Sequence, residues 1–83
     1  MNVKVLGSGC ASCKSMYSDV TRIIARNNWK IDVDYVQDIM QIMSYGVMST
    51  PVLVIDEKVV MVGHRGPSKI EQALRTAVDA QIA

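Results

Sequence analysis

Two cysteines, Cys10 and Cys13, stand three residues apart in the stretch Gly7-Ser8-Gly9-Cys10-Ala11-Ser12-Cys13-Lys14, and the chain has no others. An apolar run, Val3, Val5 and Leu6, precedes them, and a 3.6-residue periodicity begins at the second cysteine. The pair is therefore expected to open a helix. A spacing of three residues sets both sulfurs over one turn, close enough to close a small disulfide ring or to grip one soft ion. At a helix start the free N–H groups and the dipole favour negative charge, so a thiolate on Cys10 is stabilised relative to a free cysteine; Lys14 adds a positive charge nearby. Cys13 lies one turn deeper and is expected to be less exposed. That asymmetry suits one sulfur that attacks a partner disulfide and a second that releases the mixed disulfide. An inert structural pair is the plain alternative, although cysteines at an exposed helix start behind two glycines make poor core packing.

The elements that must hold this pair can be read from periodicity. Residues 3–6 form a first strand whose one charged position is Lys4, as expected of a central strand buried on both faces. The helix that follows runs to about Asn27. Cys13, Tyr17, Val20 and Ile24 form its apolar stripe, widened by Met16 and Ile23, while Asp19, Arg22 and Arg26 are expected to face water. Asn27-Asn28 supplies a left-handed stop. Trp29, Ile31, Val33 and Tyr35 alternate with Lys30, Asp32 and Asp34, the period-2 pattern of an edge strand. Asp38 caps a short helix carrying Ile39, Met40, Ile42 and Met43, which closes at Gly46. After Thr50-Pro51, residues 52–55 and 59–62 read as a β-hairpin whose turn lacks an Asn-Gly or Asp-Gly signal. Ser68 with Glu71 reads as a capping box for a last helix carrying Ile70, Ala73, Leu74, Ala77 and Val78. The order is βαβαββα, an α/β arrangement. A strand, a crossover helix and a second strand make a parallel unit, so the expected spatial order is second, first, third, fourth, with helices on both faces.

Length and composition bound the possibilities. Eighty-three residues, 49% of them apolar, are read as one domain spanning residues 1–83 around a single core. Nine basic and eight acidic residues give a net charge of +1 with no basic cluster to follow phosphates, so nucleic acid is not an expected partner. The apolar runs near the N-terminus are too short for a signal peptide or a membrane span, and a cytoplasmic location is expected. A lone C-x-x-C pair also fits a reducing compartment.

The C-x-x-C at the first strand-to-helix turn, Thr50-Pro51 before a hairpin and a closing helix together resemble the thioredoxin and glutaredoxin superfamily. The likeness is closest to small thioredoxin-like redox-active disulfide proteins. Their pattern Leu-Gly-x-Gly-Cys-x-x-Cys is matched by residues 6–13, and Tyr-Gly-Val-x-Ser-Thr-Pro-x-Leu-Val-Ile-Asp by residues 45–56. The resemblance implies a thioredoxin-like fold with a four-stranded mixed sheet. It implies Cys10 as nucleophile, Cys13 as resolving thiol and Pro51 as a cis-proline beside them. Ser8, Gly9, Ala11, Ser12, Thr50 and Pro51 would then border a groove where the Thr50 backbone pairs with an extended substrate segment. It further implies thiol-disulfide oxidoreductase activity carried by the dithiol with no bound cofactor, a disulfide-containing protein substrate, an upstream thiol reductase and a monomer. Three departures stand out: Ala11-Ser12 replaces the Gly-Pro or Pro-Tyr of the larger relatives, the first strand has no carboxylate, and residues 63–68 carry only part of a glutathione-binding pattern.

Other readings remain beside this one. Cys10 and Cys13 also suit a carrier or sensor for a soft metal or metalloid, because their loop is similar to that of heavy-metal-associated domains. Those domains place Met where this chain has Ser8, and their βαββαβ order ends on a strand. A non-catalytic docking module is a third reading. Met16 and Met48 are candidates to line the site, and Lys14 and Arg65 to influence Cys10. His64 reads as a solvated loop histidine, and Trp29 as packing.

Overall fold

A computed structural model describes residues 1–82. Its elements follow the order β1 (Asn2–Leu6), α1 (Ala11–Arg26), β2 (Asp32–Val36), α2 (Ile39–Ser44), β3 (Val52–Ile55), β4 (Lys58–Val62) and α3 (Pro67–Ile82). The strands form one mixed sheet in the order β2-β1-β3-β4. β1 runs parallel to β2 and antiparallel to β3, and β3 and β4 form an antiparallel hairpin.

The side-chain period of two divides the central strands between two apolar clusters. Val3 and Val5 of β1 and Leu53 and Ile55 of β3 pack with Met16, Val20 and Ile23 of α1 and with Ile70 and Leu74 of α3. Leu6, Val52 and Val54 pack on the opposite side with Ile42 of α2. Helices therefore cover both faces. All four residues of β3 are buried, whereas β2 is half-buried and β4 largely exposed, as edge strands are.

β2 begins three residues later than the alternation from Trp29 predicts. Asn28 takes a left-handed φ of 57° and the Trp29 N–H donates to Ile24 O at 3.2 Å, so the residues after α1 complete its cap before the chain can enter the sheet. Trp29 packs against the larger cluster, with the Arg75 guanidinium 5.5 Å from its ring centre. The predicted capping box at α3 does not form. Gly66 O accepts the first helical bond from Ile70 N at 3.2 Å, and Pro67 opens the helix. Glu71 turns instead to the end of α1, where it accepts from Arg26 at 2.9 Å and Asn27 at 3.1 Å. These partners, Asn27 first and then Arg26, hold its carboxyl below the usual 4.5.

The two-residue hairpin loop has positive φ at both Asp56 (49°) and Glu57 (70°), the primed turn that the right-handed sheet twist favours. Glycine or asparagine would adopt it with less strain. Here Glu57 is held by Lys4 Nζ at 2.6 Å and by the Tyr45 hydroxyl at 2.8 Å, which ties the turn to β1 and to the end of α2. These contacts, Lys4 first, lower the Glu57 pKa, and Glu57 and then Tyr45 raise that of Lys4.

Candidate active site

The first cysteine is the residue before α1 rather than within it. Cys10 has an extended backbone (φ −68°, ψ 165°), and its sulfur accepts a hydrogen bond from Cys13 N at 3.2 Å, the role that a serine or aspartate oxygen fills at other helix starts. The cysteine pair thus opens the helix as expected, with Cys10 as its cap and Ala11 as its first residue. Cys10 is exposed, while Cys13 is wholly buried. The two form a disulfide with Cα atoms 5.0 Å apart.

Gly7 makes this placement possible by lacking a side chain. A Cβ on Gly7 would lie 2.6 Å from both Cβ and Sγ of Cys13 and 3.6 Å from Cε1 of Tyr35. Its N–H donates to Val36 O at 2.9 Å, extending the parallel ladder one residue past β1 and pressing the backbone against α1. Gly9 serves a different need, a turn with φ of 92°. Below Cys13, the Tyr17 ring of α1 stacks on Tyr35 of β2 with centroids 5.1 Å apart.

The Thr50–Pro51 peptide bond is cis. Pro51 is buried, and its carbonyl accepts from Gly63 N at 2.7 Å, joining the entrance of β3 to the exit of β4. A groove of about 360 Å³ brings Ser8 together with Thr50, Ser49, Met48, Met43 and Ile39. Met48 is fully exposed and Met43 and Ile39 are each 64% exposed. Ser8 and Thr50 thus line one surface although they are far apart in sequence. Gly9, Ala11, Ser12 and Pro51 do not line that groove; Ala11 and Ser12 are exposed at the start of α1.

Other candidates fall elsewhere. Met16 is core. Lys14 is exposed, and Arg65 borders a separate groove between β4 and α3. His64 is not a freely solvated histidine: its Nε2 lies 2.8 Å from Asp19 Oδ2, with 24% and 15% of the two side chains exposed. Asp19 therefore faces the loop that carries His64 rather than open water, and Arg22 donates to its other oxygen at 3.0 Å. No cluster of three or more His, Cys, Asp or Glu that could hold a metal ion occurs among the described residues. The Gly7 contact, the tyrosine stack and the Asp19–His64 pair were not read from the sequence. Only the tyrosine pair left a trace there, since Tyr17 and Tyr35 each occupy the apolar side of an amphipathic element.

No helix among the described residues is long and apolar enough to cross a membrane. No curated protein matches the sequence. A family model described as a thioredoxin domain does match, over residues 1–77, a span that contains the cysteine pair, the Thr50-Pro51 turn and all four strands. With its mixed four-stranded sheet and a C-x-x-C pair at disulfide distance, the chain belongs to the thioredoxin-domain family.

Proposed function

We propose that the chain is a thiol-disulfide oxidoreductase in which Cys10 attacks and Cys13 resolves. The observation that carries this reading is the unequal exposure of two bonded sulfurs: one meets solvent at the start of α1 and the other is wholly buried one turn in. A thiolate at Cys10 gains from the free N–H groups around it, and one of these, Cys13 N, already points at its sulfur. Attack on a partner disulfide forms a mixed disulfide and releases one partner thiolate. Cys13 then displaces the second partner sulfur, the internal disulfide closes, and two electrons have passed to the partner. The dithiol carries those electrons itself, so the cycle requires no bound cofactor.

The apolar groove beside Ser8 and Thr50 supports a protein substrate, because its exposed methionines adapt to varied side chains. On this reading Ser8 and Thr50 meet the bound segment in the groove, and Gly9, Ala11, Ser12 and Pro51 flank it outside the groove. Residues 1–83 act as one domain, a monomer in the cytoplasm recharged by an upstream thiol reductase. The test is turnover of a disulfide-bonded protein. Cys10→Ser abolishes reduction, and Cys13→Ser accumulates a mixed disulfide through Cys10, visible as a mass increase; intact reduction by Cys10→Ser overturns the reading.

A second reading is favoured by Met43 and Met48, whose thioethers line the groove that starts at Ser8. The two thiolates themselves would suit a soft ion such as Cu(I), with these methionines on the neighbouring surface. Anaerobic titration separates the two: affinity no better than that of a small dithiol removes it.

A further inference from the structure

Resting on the redox reading above, we infer that the Tyr35 hydroxyl is the hydrogen-bond partner of the Cys13 sulfur in the reduced protein. Tyr35 pairs with Val5 in the parallel ladder, which places its ring on the side of the sheet covered by α1. There it stacks on Tyr17, which follows Cys13 by four residues and so lies on the same face of the helix. The position a Cβ would take on Gly7 is 2.6 Å from the Cys13 sulfur and 3.6 Å from Tyr35 Cε1, the ring carbon next to the one bearing the hydroxyl. Sulfur and phenol ring thus both lie against that one point, which makes them neighbours across Gly7.

The hydroxyl itself is buried and has no hydrogen-bond partner among the described residues. Leaving such a group unpaired is unfavourable, and a buried polar atom retained without a partner needs a reason. The disulfide supplies one. In the oxidised form the Cys13 sulfur is tied to Cys10, carries no proton and makes no hydrogen bond with the hydroxyl. After reduction it is either a thiol, which donates, or a thiolate, which accepts strongly, and a phenol can answer both. The orphan hydroxyl of the oxidised state becomes a satisfied one in the reduced state.

Two consequences follow. Equilibrium shifts toward the dithiol, which makes the pair a stronger oxidant than it would be without the hydroxyl. The release step also becomes easier. Cys13 first gives its proton to water. Its thiolate then attacks the Cys10 sulfur of the mixed disulfide, the Cys10–partner S–S bond breaks, and the partner sulfur leaves with the electron pair and takes up a proton from water. The Tyr35 O–H donates to the Cys13 thiolate while it exists and gives up no proton of its own.

The experiment is the equilibrium of the Cys10–Cys13 couple with dithiothreitol buffers in three proteins: wild type, Tyr35→Phe and Tyr17→Phe. Phenylalanine keeps the stacked ring in both variants, so folding is preserved. Tyr35→Phe is expected to raise the ratio of oxidised to reduced protein about tenfold at a given buffer, a shift of about 30 mV toward more reducing potentials. Tyr17→Phe, which removes the other hydroxyl of the same stack, is expected to move it less than twofold. An unchanged ratio in Tyr35→Phe, or an equal shift in both variants, overturns the inference and leaves the oxidoreductase reading standing. A wild-type pair that forms no reversible disulfide removes that reading, and this inference falls with it.

Discussion

Cys13 can be buried against β1 because Gly7 has no side chain, and this one contact governs how the Cys13 sulfur sits. Adding a methyl group there places a carbon 2.6 Å from two Cys13 atoms, far inside contact distance. Neither neighbour can yield freely, since Gly7 is held in the ladder by Val36 and Cys13 in the turn by Cys10. Gly7→Ala is therefore expected to destabilise the fold by about 1–3 kcal/mol, the range for overpacked cores. Thermal unfolding checks this; an unchanged midpoint would mean that the helix start slides outward without penalty. At this scale the sequence was legible where an interaction is local. The exposure difference between Cys10 and Cys13 follows from three residues of helical spacing, and so it was foreseeable. The roles of Gly7, Tyr35, Asp19 and His64 depend on which elements pack together, and a glycine after a strand looks the same whether it serves a turn or a close approach.

Among elements, the pairing of α1 with α3 depends on more than their apolar stripes. Glu71, early in α3, accepts from Asn27 and Arg26 at the end of α1 and from Arg75 one turn further along its own helix. These contacts lower its pKa below 4.5, Asn27 contributing first and Arg26 second, with partial burial opposing. A depressed folded-state pKa means that the unfolded chain takes up the proton first on acidification. The stabilisation is fully present above the unfolded value and is lost as pH falls through the folded one. Glu71→Gln is thus expected to be less stable than wild type at neutral pH, with the gap narrowing below about pH 4.5. Urea unfolding at several pH values checks the sign, and a gap that widens on acidification would refute it. Glu71 also shows why element order was more readable than element ends. Periodicity predicted all seven elements and their sheet order. The ends at Trp29 and Ser68 were set by tertiary partners, which drew Trp29 into the core and the Glu71 carboxylate away from the cap it was expected to close.

Over the whole molecule, the disulfide is a minor contributor to the fold. Both apolar clusters are assembled from residues outside the Cys10–Cys13 ring: Val3, Val5, Leu53, Ile70 and Leu74 on one face, Leu6, Val52 and Val54 on the other. The radius of gyration, 11.8 Å, is that of a well-packed chain of this length. Closing a ring of only four residues removes little entropy from the unfolded chain, which limits the stabilisation to about 2 kcal/mol. On the proposed redox reading, interactions that favour the reduced state, at the Cys10 thiolate and at the Cys13 sulfur, would subtract from that figure. By linkage, any stability the bond adds to the folded state must appear as a lower potential for the folded pair than for the same cysteines unfolded. A strongly stabilising disulfide would be a poor electron carrier because it would resist being opened. The oxidised and reduced proteins are therefore expected to unfold within about 2 kcal/mol of each other, with the reduced form fully folded at ambient temperature. Parallel denaturant titrations with and without reductant decide the matter. A reduced chain that is unfolded, or a gap above about 4 kcal/mol, would mark the pair as a structural clamp rather than a working dithiol.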